Sequence, residues 1–412
     1  MKHIIFFTLS VLMTTGVFSQ AQQFEQSFSS GGQDTEKPRV RVGADFAMQF
    51  QSLSHHADTA RLIPLGKGIV LPTANLNIEA DLADGIIVNL TTYLSARHHN
   101  EAWVKGGYLY VDKLPFIKSS VVTRAMDFLS FRAGVMEINY GDAHFRRTDN
   151  GNAIRNPFVG NYIIDAFTTT PALEVYFNAK DFLLMGAVTT GIVNPSIAGY
   201  NAVTKTYSAY DAGKELAYYG KIGYDKEISD DFRFRLTLSG YHAAKSHSGS
   251  LHFGDRAGSR FYLVMNRVTY NPNDVNISSN FTSGNWGPGS TNKDNSAMLN
   301  LFTKFHGAEF FGTLEKVKGT LANGTAFDYG QYAVEGLYRF GGEEQFYAGV
   351  KYNAAKNETP SRVNRLEVGA GWFPVKNIVI KAEYVDQNYK NFGIYGGGGG
   401  FNGVMIESGI SF

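Results

Sequence analysis

The side chains best equipped for chemistry lie together in Tyr140-Gly141-Asp142-Ala143-His144-Phe145-Arg146-Arg147-Thr148-Asp149-Asn150-Gly151, followed by Ile154-Arg155-Asn156-Pro157. Guanidiniums keep their charge at every accessible pH and grip carboxylates and phosphates through two parallel hydrogen bonds. In a narrow, partly dehydrated space their attraction for an anion is much stronger than in water. Arg146, Arg147 and Arg155 could therefore select a passing anion, while Asp142, Asp149 and His144 stand among them and offset their field.

Bond-making chemistry is poorly supported, and no catalytic residue is assigned. The sequence has no G-x-S-x-G, the strained turn that presents a nucleophilic serine. His242, His247 and His252 fall near Ser246, Ser248 and Ser250 in a predicted loop region without a distinct acid partner, so they are read as loop decoration. His55-His56 and His98-His99 lie in or beside predicted external loops and lack the carboxylate or thiolate company of a specific metal site. With no cysteine, disulfides and thiolate redox or metal chemistry are excluded. No cofactor is expected.

The first residues read as an export signal: Lys2, an apolar run from Ile4 to Val17, then small residues at Ser19 and Ala21. Cleavage after Ser19 or Ala21 is expected, giving a signal peptide over 1–21. Its loss removes one cation of the 38 Lys and Arg, so 37 remain against 37 Asp and Glu. That balance argues against a nucleic-acid partner, which would call for a basic stripe. Residues 22–38, rich in Ser, Gln and Gly, read as a flexible lead-in.

From residue 39 onward the pattern has a period of two, the signature of strands whose successive side chains face opposite sides. Val40, Val42, Ala44, Phe46, Met48 and Phe50 alternate with Arg39, Arg41, Gly43, Asp45, Ala47 and Gln49. Similar alternation sets Phe234, Leu236 and Leu238 against Arg233, Arg235 and Thr237, and Leu366, Val368 and Trp372 against Arg365, Glu367 and Gly371. The chain carries 45 Gly, 23 Tyr and 31 Phe, the composition that turns and interfacial aromatic girdles of a membrane barrel require. Lipid offers no partner to an open sheet edge, so such strands must close.

Short connections at 84–85, 178–181, 306–307, 341–344 and 374–377 largely alternate with longer polar ones at 52–72, 191–215, 271–295, 318–328 and 387–402. This gives the barrel a periplasmic and an external end. The glycine run 396–400 is placed in the last external loop. The tally comes to about 17 strands, and both termini in the periplasm require an even number. Either residues 103–111 are a spurious strand or residues 250–254 hide a further one. The expected fold is thus all-β: a transmembrane antiparallel up-and-down barrel over 39–412 with about 16 or 18 strands, and residues 140–157 folded into the lumen as a constriction loop.

Residues 132–151, RAGVMEINYGDAHFRRTDNG, residues 254–272, GDRAGSRFYLVMNRVTYNP, and the terminal Phe412 resemble the phosphate-selective porin O and P family and its relatives among outer-membrane porins. The likeness runs from Val40 to Phe412. It implies a porin for passive diffusion of small hydrophilic solutes or ions with an anion or phosphate preference, a homotrimer in the outer membrane of a Gram-negative bacterium, and pore-lining cations. The matching segment would put Arg146, Arg147 and Arg155 at the eyelet, with Asp142 and Asp149 as a departure that weakens phosphate selectivity. Inward-facing Arg41, Arg233, Arg235, Lys351, Arg365 and Lys381 could extend a cationic track, but Asp45, Glu79, Asp81, Glu367 and Glu383 answer them. The C-terminal strand ending at Phe412 resembles the signal read by the barrel-assembly machinery, and membrane lipid is the expected surrounding partner. The alternative function is a non-conducting barrel serving as a scaffold or partner subunit in a surface complex.

Overall fold

The computed structural model describes residues 22–25, 38–70, 72–95, 101–191, 198–201, 204–209, 215–245, 249–254, 258–268, 282–321 and 323–412. The expected signal peptide therefore lies outside the described residues.

The chain closes a barrel of 16 antiparallel strands. They are β1 (Arg39–Ala57), β2 (Thr73–Ala83), β3 (Ile86–Ser95), β4 (Glu101–Val111), β5 (Leu129–Glu137), β6 (Thr169–Ala179), β7 (Phe182–Thr189), β8 (Ala217–Ser229), β9 (Phe232–Ala243), β10 (Thr291–Phe305), β11 (Ala308–Leu321), β12 (Ala326–Phe340), β13 (Phe346–Asn357), β14 (Arg362–Val375), β15 (Ile378–Phe392) and β16 (Gly397–Ser411). Each pairs with its sequence neighbour, and β1 also pairs with β16 from Asp45↔Ser411 to Ala57↔Gly399. Phe412 finishes the seam: its N–H donates to Ala44 O at 3.0 Å and its carbonyl accepts from Ala44 N at 2.8 Å. A two-residue strand, Gly68–Ile69, pairs onto β1, and a hairpin of Ala198–Asn201 with Thr206–Ala209 stands apart.

Parity is satisfied, but neither suspected place held the counting error. Residues 103–111 belong to a true strand, β4, and residues 250–254 form a 3-10 turn at Leu251–Phe253. Two expected long loops also shrink. Lys318 pairs with Asp328, and Thr320 with Ala326, across a turn where the sequence suggested a loop over 318–328. Beyond the hydrocarbon both faces of a strand are wet, so pairing continues after alternation has ceased to mark it. Likewise the run 396–400 is not a loop tip, because Gly397 to Gly400 are β-paired in β16. Glycine is needed there for close approach: a Cβ on Gly399 would stand 2.6 Å from the His56 carbonyl oxygen.

The strand faces separate as lipid and lumen require. Leu236, Leu238, Leu299, Leu314, Val350, Leu366, Val368, Ile380, Val404 and Ile406 point outward and exposed, while Arg235, Thr237, Asn300, Thr313, Lys351, Arg365, Lys381 and Glu407 point inward and buried. Near the periplasmic ends of the strands the outer surface carries ring ladders, Tyr338–Phe340–Phe346–Trp372 with centroids 6.5, 5.7 and 6.3 Å apart and Phe128–Phe177 at 6.0 Å, forming an interfacial girdle. Leu314→Arg, on the lipid face at the middle of β11, is expected to destabilise the barrel by about 2–4 kcal/mol, the cost of an arginine facing lipid near the midplane. Urea unfolding in lipid vesicles measures this.

Candidate functional site

Residues 138–168, between β5 and β6, fold into the barrel and cross it. Wall side chains hold the loop by its backbone. Lys381 Nζ on β15 donates to the carbonyls of Ala153, Asn156 and Phe158 at 2.9, 2.8 and 2.9 Å. Lys351 on β13 donates to Gly160 O at 2.7 Å, and Lys221 on β8 to Gly141 O at 2.7 Å. Glu383 accepts from Val159 N at 2.6 Å, Asn353 from Ile163 N at 2.7 Å, and Gln331 from Ile164 N at 2.9 Å. A loop inside a barrel has no ladder to join, so lumen-facing Lys, Glu, Asn and Gln satisfy its polar groups.

The site residues singled out in the sequence lie along the inserted loop and meet different walls of the barrel, and Arg146 and Arg147, its buried arginines, are both paired. Arg146 Nε donates to Glu335 on β12 at 2.9 Å, and its Nη1 reaches Glu309 on β11 at 3.5 Å. Arg147 binds Asp165 at 2.7 Å and lies 4.0 Å from the Phe167 ring centroid. The side chains of Arg146 and Arg147 are each 1% exposed. Asp142 accepts from Lys221 at 2.9 Å, Arg235 Nε at 2.8 Å and Thr237 at 2.7 Å. Burial alone would raise its pKa, but Lys221 and Arg235 outweigh burial and hold it well below the usual carboxylate range. Asp149 pairs with Lys105 on β4, and His144 sits 3.4 Å from Glu137. Arg155 is exposed and donates to Gln23 at 2.8 Å.

The proposed cationic track is likewise matched by acids. Arg41 pairs with Glu79 and Asp81, Arg233 with Asp225 at 2.7 Å, Arg235 with Asp142, Lys351 with Glu367 at 3.0 Å, Arg365 with Glu367 at 3.9 Å, and Lys381 with Glu407 at 2.7 Å. Sequence reasoning missed Lys221, Glu309, Glu335 and Glu407, although each is a charged residue in the inward register of an alternating strand.

The described residues between β9 and β10 add a second insertion that is anchored inside the lumen. Arg260 binds Glu407 at 2.5 Å, Gln51 exchanges hydrogen bonds with the Tyr262 backbone at 2.9 Å each way, and Gln387 donates to Gly284 O at 2.8 Å. Arg260, Leu263 and Met265 have φ of 73°, 61° and 60°, a left-handed conformation uncommon for such side chains and maintained by this anchoring. Phe261, Val264 and Met265 pack with Val159, Ile163, Phe401 and Met405 into an apolar cluster inside the barrel. A barrel of this width would otherwise leave an aqueous channel; here loops supply a partial core.

The histidine readings also change. His252 is buried and does have acid partners: Asp294 at 3.3 Å and Glu315 at 3.7 Å, with Ser296 Oγ at 3.0 Å. Burial would lower its pKa, yet Asp294 and Glu315 outweigh burial and raise it. It locks the turn Leu251–Phe253 to the wall and is not loop decoration. His55 is a clamp as well, accepting from Met265 N at 2.9 Å through Nδ1 and lying 2.6 Å from Ile63 O through Nε2. His98, His99 and His247 lie outside the described residues.

Several lumen charges keep contact with solvent: Arg41 (34% exposed side chain), Glu79 (25%), Lys105 (11%) and Glu137 (26%) on β1, β2, β4 and β5, with Lys105 paired to Asp149 of the inserted loop, and Asp225 (25%) and Arg233 (18%) on β8 and β9. Of the expected lead-in, Gln22–Glu25 and Pro38 are described: Gln22 and Phe24 are buried beside the inserted loop, Phe24 against Phe302 at 5.1 Å, and Glu25 is half-buried next to them.

A closed, even-stranded barrel with an apolar outer band, an aromatic girdle, a polar interior and an inserted loop has the fold of the outer-membrane porins. Solved structures agree at the level of fold. An anion-selective porin from Comamonas acidovorans has a TM-score of 0.51 at 12% identity, covering 91% of this chain and 100% of that one. The outer membrane channel DcaP of Acinetobacter baumannii has a TM-score of 0.50 at 10% identity (93% and 100% covered), and OprB of Pseudomonas putida has 0.50 at 10% (90% and 94%). No protein-family model and no curated protein matches the sequence.

Proposed function

We propose that this barrel is a porin for passive diffusion of small hydrophilic solutes and ions, with little preference between anions and cations. One observation carries the reading: the solvent-contacting lumen charges come as opposite-sign neighbours, Arg41 with Glu79 and Asp81, Lys105 with Asp149, and Arg233 with Asp225. A water-filled path lined this way admits ions of both signs. The finer reading, a phosphate-selective porin, draws support from the sequence resemblance and from an anion-selective porin sharing the fold, but Arg146 and Arg147 already hold carboxylates. Removal of residues 1–21 on export, assembly guided by the strand ending in Phe412, and trimerisation belong to the same proposal.

The apolar cluster that the two insertions build inside the lumen favours a second reading, a non-conducting barrel that presents its loops to a partner in a surface complex. Vesicle swelling separates the two. Proteoliposomes carrying the purified protein should swell in an uncharged pentose; vesicles that stay shrunken while the protein is folded would leave the scaffold reading.

A further inference from the structure

The N-terminal residues Gln22–Glu25 occupy a built site. Glu25 accepts from Asn139 Nδ2 at 2.7 Å and Arg235 Nη2 at 3.0 Å, with Lys221 Nζ at 3.3 Å. Phe24 sits in an aromatic box, 5.1 Å from Phe302, 5.9 Å from Phe145 and 6.4 Å from Phe311, with the Arg235 guanidinium 4.6 Å from its ring centroid. The Gln22 carbonyl accepts from Arg233 at 2.7 Å and its side-chain oxygen from Arg146 at 2.9 Å. Among the described residues this segment belongs to no strand or helix; side chains of the wall and the inserted loop hold it.

Charge counting shows what an emptied site would want. Lys221, Arg233 and Arg235 face the fixed carboxylates Asp142 and Asp225, and Glu25 supplies the third negative charge. Without the segment, the cluster keeps one cation in excess, next to an apolar box that has lost its ring.

We propose that Gln22–Glu25 is a tethered plug seated in a ligand site, and that the vacated site binds a small solute bearing a carboxylate beside an aromatic or bulky apolar group. β1 starts at the periplasmic end, and Arg233, Phe302 and Phe311 lie near the periplasmic ends of β9, β10 and β11, so the plug occupies the periplasmic half of the lumen. This rests on the conducting reading above for its effect on transport, and on the site alone for binding.

The test compares the full chain, a variant lacking residues 22–25, and Glu25→Gln combined with Phe24→Ala, each verified as folded by its heat-modifiable gel mobility. In planar bilayers both variants should show a larger single-channel conductance and a reversal potential displaced toward anion preference. The amidated peptide Gln-Gln-Phe-Glu, added on the periplasmic side, should reverse both changes, and Gln-Gln-Phe-Gln should bind about tenfold or more weakly because a charge-assisted bond is lost. Unchanged conductance and reversal potential in both variants, in a protein that conducts, would overturn the proposal. Calorimetric titration of the peptide into the deletion variant in detergent separates the two levels. Binding without any conductance removes the porin reading and leaves the site, whereas no binding, or equal binding to the full chain, removes the site.

Discussion

Glu407→Leu is expected to cost about 3–5 kcal/mol of barrel stability, the loss typical when one partner of a buried ion pair is removed. Glu407 on β16 is fully buried and bound by Lys381 at 2.7 Å and by Arg260 at 2.5 Å. These two cations anchor both inserted loops: Lys381 holds the carbonyls of the 138–168 loop, and Arg260 belongs to the second insertion. Leucine at 407 would leave two positive charges facing each other in a dry part of the lumen, and both loops should loosen together. Glu407→Gln keeps hydrogen-bond acceptance but not charge, and should fall between the two. Urea unfolding in vesicles reads the stability, and protease cleavage within 138–168 reads the loosening.

The second large effect concerns Arg146. Its side chain is anchored to Glu335 and reaches Glu309, which Arg339 also holds at 2.6 Å. Arg146→Ala should therefore destabilise by a similar several kcal/mol and leave the lumen with an excess carboxylate, moving the reversal potential toward cations. Adding Glu335→Gln should bring the reversal potential back to its starting value. A free cationic eyelet would behave differently, because Glu335 would have no influence on a side chain it does not hold. The double-mutant cycle distinguishes a paired arginine from a selective one.

Much of the architecture could be read from the sequence because a membrane barrel writes its rules locally. Each strand must alternate to face lipid and lumen, and the strands around Phe46, Leu236 and Leu366 do so through their middle stretches. The constriction loop was legible for a related reason: a charged segment such as 140–157 between two membrane strands has few places to go. What could not be read was pairing across the lumen. Arg146 meets Glu335, Lys381 meets Glu407, and Phe24 meets Phe302, contacts between residues far apart in sequence that depend on closure and strand stagger. The same blindness made His252 look solitary, since its acids Asp294 and Glu315 sit on two different strands. Strand ends failed for another reason. Above the hydrocarbon, Lys318 and the glycines of β16 keep their ladder without keeping alternation, so polar pairing resembles loop.

A conducting lumen whose charges are compensated in place should show, in single-channel recording of the purified full chain across a potassium chloride gradient, stepwise openings with a reversal potential near zero. A folded protein that never opens, or one whose reversal potential approaches that of an ideal anion channel, would contradict that expectation.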